Sequence, residues 1–133
     1  MIIRNSKNTF EILLKNHLKK SIFNDIYENR TKLSQDLDLC DELLHILNEY
    51  DLESKRLASK LLCLLLIEEK IKSDTTYLDG VQTILSLLHD HNNLDIIWNC
   101  IWCLVQLCAF RDNKQEIRLI GGIPLILSIL WYI

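Results

Sequence analysis

The sequence predicts an all-α protein built as a helical solenoid, and three observations predict it. Gly80-Val-Gln-Thr-Ile-Leu-Ser-Leu-Leu88 and Gly122-Ile-Pro-Leu-Ile-Leu-Ser-Ile-Leu130 carry nearly the same pattern forty-two residues apart. A fixed period of that size marks one small unit, repeated and stacked. Three glycines and one proline in 133 residues are too few turn-makers for an all-β fold, and a hydrophobic share of 49% favours long helices packed on one another. The length holds one domain, or two to three repeats of about forty residues.

Phe10 to Leu18 and Ile22 to Leu39 read as helices with no glycine corner between repeats, so residues 1–39 are expected to form an irregular helical N-terminal cap and residues 40–133 the repeats. Asp41 to Asn48 matches the later medium-length helices with a shift of forty-one. Leu52 to Leu66 reads as a long helix, Glu68 to Leu78 as a weaker short one, Gly80 as a corner and Val81 to His89 as a medium helix. The order then repeats. Between Asn93 and Phe110, Leu94, Ile97, Trp98, Ile101, Leu104, Val105, Leu107 and Cys108 recur at threes and fours, which predicts a long amphipathic helix with a wide buried stripe. Asn92 or Asn93 is placed to accept from the free N–H groups of its first turn. Asp112-Asn-Lys-Gln115 and Asn113-Lys-Gln-Glu116 are overlapping capping boxes that open a short helix through Ile120. Gly121 and Gly122 end that helix, because glycine tolerates a left-handed C-cap, and Pro124 suits the first turn of the next.

The last helix, residues 123–133, is apolar throughout, and in a solenoid a third helix would cover it. Leu130, Trp131 and Ile133 are therefore expected to form an exposed apolar end that promotes self-association.

These residues resemble an armadillo repeat, whose pattern joins a short helix, a Gly-Ile/Val-Pro corner, a helix ending in Leu-Leu and a long third helix. Asp112 to Leu130 is similar to the first two helices, and Cys100-Ile-Trp-Cys-Leu-Val-Gln-Leu-Cys108 to the third, with Cys100, Cys103 and Cys108 where alanine is usual. The likeness is strong over residues 78–130, recognisable over 40–78 and absent before that. It implies a right-handed α-solenoid of about two and a half repeats, the last incomplete, behind the N-terminal cap.

Charge and cysteine content limit the function classes. Residues 1–32 carry seven Lys/Arg against three Asp/Glu, and the remainder eight against fifteen. The basic cluster around Lys15, Lys19 and Lys20 reads as a solvated helix face, since an acidic body repels phosphate, and no nucleic-acid partner is expected. No run reaches the roughly 18 apolar residues of a membrane span. The N-terminus lacks a secretory core, and five cysteines without framework spacing fit free thiols. The expected location is the cytoplasm, with the nucleus as a second.

His89, His91, Cys100, Cys103 and Cys108 resemble a zinc set on paper. The cysteines, however, fall on small-residue positions of a packed helix, where a thiol behaves as a small hydrophobe, so no metal or cofactor is expected. Serine-nucleophile elbows, phosphate loops and dinucleotide fingerprints are absent, and an enzyme is not expected.

Asn99, Trp102 and Gln106 share one helix face by spacing. The resemblance implies that this face lines a concave groove, where amides bond a ligand backbone and aromatic rings wall its side chains. One repeat earlier, Lys60 holds the Trp102 position and Leu64 that of Gln106; the lysine disfavours a basic ligand and tolerates an acidic one. The expected function is a non-catalytic scaffold or adaptor that holds an extended peptide or helix through Lys60, Asn99, Trp102 and Gln106. Two other readings remain open: a regulatory module that binds a folded partner such as a small GTPase, and a nuclear-import adaptor, for which Gln106 departs from the usual Trp-x-x-x-Asn pair. Packing of Trp102 against a neighbouring repeat is the plain structural alternative.

Overall fold

The structure, a computed structural model, describes residues 38–90 and 92–132, with Tyr132 described in its backbone alone. The expected N-terminal cap and its basic cluster, His91 and Ile133 lie outside the described residues. Among those described, the fold is all-α, seven helices with no strand. They are α1 (Leu39–Glu49), α2 (Leu52–Leu65), α3 (Glu69–Tyr77), α4 (Gly80–Asp90), α5 (Leu94–Leu107), α6 (Arg111–Leu119) and α7 (Gly122–Tyr132). No described helix is long and apolar enough to cross a membrane.

The period survives in three dimensions. α2 and α5 each have 14 residues, α3 and α6 each 9, and α1, α4 and α7 each 11. From α2 onward each helix lies forty-two residues from its counterpart; α1 lies forty-one before α4. The described chain is thus one whole set of three helices, α3–α4–α5, flanked by two helices of a set on either side.

Burial repeats with it. α1 buries Leu39, Cys40, Leu43, Leu44, Ile46 and Leu47, and α4 buries the six corresponding positions from Gly80 to Leu88. Both helices show the three-and-four spacing of an amphipathic helix, and α1 packs on α2 as α4 packs on α5. Leu62, Leu65 and Leu66 of the α2 end, Ile84 and Leu88 of α4, and Ile96 and Leu107 of α5 are fully buried in one continuous core.

Local chemistry sets the helix ends. Asp51 caps α2 by accepting from the Ser54 N–H at 2.8 Å, and Asn93 caps α5 by accepting from the Ile96 N–H at 3.1 Å. The capping boxes expected at Asp112 and Asn113 do not form. α6 begins at Arg111, two to three residues earlier than they require, behind Phe110, with no side-chain cap. Asn113 instead turns inward, fully buried, and its Nδ2 donates to the Leu107 carbonyl and the Thr76 hydroxyl, both at 2.9 Å. One carbonyl and one hydroxyl thus satisfy the buried amide nitrogen, while Asn113 Oδ1 meets no donor among the described residues.

The corners divide their work between two residues. Gly121 takes the left-handed conformation at φ 78°, and Asp79 holds the corresponding place at φ 57°. Gly122 and Gly80 are helical and buried; they are glycine because the preceding short helix lies too close for a side chain. A Cβ on Gly80 would stand 2.7 Å from the Thr75 carbonyl oxygen, and one on Gly122 2.8 Å from that of Ile117. Gly122 therefore serves close packing rather than the left-handed cap expected of it.

Candidate functional site

The surface that stands out is the outer stripe of α5. Leu94, Trp98, Trp102 and Val105 lie within one side of the helix and are all exposed, Trp98 at 62% and Trp102 at 42%. The two indoles touch edge to face, with centroids 6.0 Å apart and planes inclined by 69°, so each fixes the other while both keep surface open to solvent. Sequence spacing alone places Leu94, Trp98 and Val105 in a buried stripe; the structure exposes them. The reason is that α5 has apolar residues on two faces. Ile96, Ile97, Cys100, Leu104 and Leu107 fill the core face, and counting threes and fours merges the second face with the first.

Asn99 is not on that stripe. It is 5% exposed, and its Nδ2 donates to the Ser59 hydroxyl at 3.0 Å and, more weakly, to the Arg56 carbonyl at 3.5 Å. Its amide hydrogens are used to join α5 to α2, so the expectation that Asn99 bonds a ligand backbone is corrected on geometry. Cys103 adds a weak thiol contact to the Ser59 carbonyl at 3.9 Å. Gln106 and Lys60 are both half-buried. Lys60 sits on the face of α2 that receives α5, among Arg56, Ser59 and Cys63. Arg56 reaches Glu53 through two of its nitrogens, at 2.9 and 3.2 Å, and this exposed pair is worth well under about 1 kcal/mol.

The thiols behave as core residues. Burial pushes Cys100 up to about 12 and raises Cys103 far above an ordinary thiol. Half-buried Cys63 moves the other way, lowered first by the Cys103 side chain that faces it. Cys40 is raised by burial, with its Sγ receiving the Thr75 hydroxyl at 3.6 Å. Thiols that are neutral and apolar in this way make poor nucleophiles and poor metal ligands. No group of three or more His, Cys, Asp or Glu converges to hold a metal among the described residues. His89 is exposed and pairs with Asp90 at 3.1 Å.

A second apolar surface continues along α6 and α7. Leu119, Ile120, Ile123, Leu127, Leu130 and Trp131 are exposed, while Ile126 and Ile129 are only partly covered. A cleft of about 440 Å³ separates α7 from α4, lined by Leu85, Ser86 and His89 on one side and Gly121, Gly122 and Leu125 on the other.

A Caenorhabditis elegans protein named serine/threonine-protein kinase D1044.8 is 33% identical to this chain over 95 residues. The match covers 71% of the chain but only 9% of that protein. No solved structure matches the chain. The family description "Interferon-related developmental regulator (IFRD)" matches residues 10–120, a span that takes in α1 to α6 and the whole α5 stripe. The chain belongs to the interferon-related developmental regulator (IFRD) family.

Proposed function

We propose that this protein is a non-catalytic interaction module, an armadillo-like α-solenoid that binds another protein through the α5 face. The observation that carries the reading is the exposed tryptophan pair, Trp98 and Trp102, between Leu94 and Val105. Large apolar side chains gathered on one exposed face mark interaction sites, and tryptophan is prominent among the residues that dominate binding energy. The described residues offer no opposing chemistry: burial raises Cys40, Cys100 and Cys103 above an ordinary thiol, the His89–Asp90 pair is open to solvent, and the three glycines build no Gly-x-Gly-x-x-Gly loop. The kinase in the name of the nematode relative belongs to a protein of which this chain matches 9%.

The partner fits as a helix or extended segment with apolar side chains facing the indoles. Lys60 on α2, the counterpart of Trp102 one set earlier, disfavours a basic import signal and tolerates an acidic partner. The test is capture of native partners by the purified chain against Trp102→Ala. Loss of a 42% exposed anchor is expected to weaken binding by about 2 kcal/mol with the helical circular dichroism unchanged. Equal capture by both forms would refute the reading.

A further inference from the structure

We infer that Cys63 and Cys103 form a redox-sensitive dithiol at the joint between α2 and α5, where a hydroperoxide oxidises Cys63 and Cys103 resolves it to a disulfide. The inference stands apart from the reading of α5 as an interaction face.

The geometry comes from the joint itself. Ser59 and Cys63 stand one turn apart on α2, and Asn99 and Cys103 one turn apart on α5, so each pair shares a helix face. Asn99 Nδ2 donates to Ser59 Oγ at 3.0 Å, and Cys103 Sγ lies 3.9 Å from the Ser59 carbonyl oxygen. In an α-helix that carbonyl points toward the N–H four residues on, which is that of Cys63. The two contacts set the register. Asn99 meets the first residue of the α2 pair, and the Cys103 sulfur lies against the turn that leads to the second. The period does not call for thiols here. Forty-two residues away, the counterpart of Cys63 is Val105 and that of Cys103 is Leu61. Two sulfurs face each other where the repeat offers aliphatic side chains.

The two thiols are unequal, and the inequality assigns their roles. Cys103 is 1% exposed, whereas Cys63 is half-buried and reaches solvent. Cys63 is the exception among the described thiols, held below the ordinary value first by the Cys103 side chain and further by the charge of Lys60, against the effect of burial. Burial raises Cys103. The negative charge thus belongs on Cys63 and the proton on Cys103, and the thiolate is the form that attacks a peroxide. Cys108 supplies the internal comparison. It is also half-buried, yet burial raises it.

The Cys63 thiolate attacks one peroxide oxygen: an S–O bond forms, the O–O bond breaks, and the departing hydroxide takes the Cys103 proton. The Cys103 thiolate then attacks the Cys63 sulfur, forming the S–S bond and expelling the sulfenic oxygen as hydroxide, which solvent protonates. The two thiols lose two electrons and two protons, and hydrogen peroxide becomes two waters. The disulfide ties the third helix of one set to that of the next, joining positions forty residues apart, and such a cross-link stabilises by restricting the unfolded chain.

The test is hydrogen peroxide added to the reduced whole protein, followed by digestion with trypsin and chymotrypsin and mass spectrometry. Cleavage after Lys70 or Lys72 separates Cys63 from the α5 thiols, and cleavage after Trp102 separates Cys103 from Cys100. The expected product is a Cys63–Cys103 disulfide that dithiothreitol reverses, formed roughly tenfold faster than any oxidation of Cys108. Cys103→Ala should leave a Cys63 sulfenic acid that dimedone traps, and Cys63→Ser should leave Cys103 reduced. The oxidised protein should unfold at a higher urea concentration than the reduced one. A Cys63–Cys100 disulfide, a disulfide between two chains, or Cys63 oxidised beyond the sulfenic acid while Cys103 stays reduced overturns the inference. Cys108 reacting as fast as Cys63 overturns it too, since Cys63 is then an ordinary exposed thiol. An oxidised midpoint at or below the reduced one refutes the cross-link as a staple of the joint. If Cys103→Ala fails to fold, the cross-link in the unsubstituted protein decides the matter alone.

Discussion

The joint between α2 and α5 should be asymmetric to mutation, and the asymmetry follows from counting hydrogen bonds. Asn99 Nδ2 donates to Ser59 Oγ at 3.0 Å and reaches the Arg56 carbonyl only at 3.5 Å, whereas Ser59 Oγ also donates to that carbonyl at 2.9 Å. Ser59→Ala leaves a buried amide with one weak acceptor. It should cost about 2 kcal/mol, the penalty of an unsatisfied buried donor with the lost bond included. Asn99→Leu removes the donor itself. Ser59 keeps the Arg56 carbonyl as its partner, and leucine is the residue that α2 carries at the same position, buried in Leu57. Its cost should stay below about 1 kcal/mol, since replacing a polar group by an apolar one of similar size strands nothing. In the double variant Ser59→Ala should add almost nothing, giving a coupling of about 1–2 kcal/mol. Urea unfolding followed at 222 nm measures all four proteins. With a slope of about 1.5 kcal/mol per molar, Ser59→Ala should lower the midpoint by about 1.3 M. The reasoning is refuted if Asn99→Leu costs as much as Ser59→Ala, or if the two losses simply add.

Three further outcomes follow from the corners and the thiols. Gly80→Ala forces a methyl group to 2.7 Å from the Thr75 carbonyl oxygen, and thermal unfolding should register a loss of about 1–3 kcal/mol, typical of overpacking against backbone. Asp79→Gly places glycine at φ 57°, as Gly121 already stands at φ 78°, and should raise stability by about 0.5–1 kcal/mol because a side chain in the left-handed region is strained. Cys100 has a folded value of about 12 against an ordinary 9.0, so above pH 9 the unfolded chain releases a proton that the native state retains. Its contribution is whole below pH 9 and declines as pH rises toward 12, and the alkaline fall in urea midpoint should be smaller in Cys100→Ala.

The sequence by itself determined the helices and their order. The forty-two-residue echo, the three-and-four spacing in α1, α4 and α5, and the glycines at the corners are local or periodic signals, and a backbone with so few breakers answers them with helices. The caps were legible only in part. Asn93 acts on its own next turn, but Asn113 serves partners in α3 and α5 that only folding brings near. The two apolar faces of α5 were indistinguishable in one dimension, since a helical wheel records that Trp98 and Ile97 are both hydrophobic and not which has a neighbour. The division between core and surface was decided by the tertiary structure, because burial depends on what packs alongside. Ser59 and Asn99 lie forty residues apart and meet only when one set of helices stacks on the next. The same stacking removes Asn99 from the surface and leaves Trp98 and Trp102 on it, as the face of α5 turned away from α2.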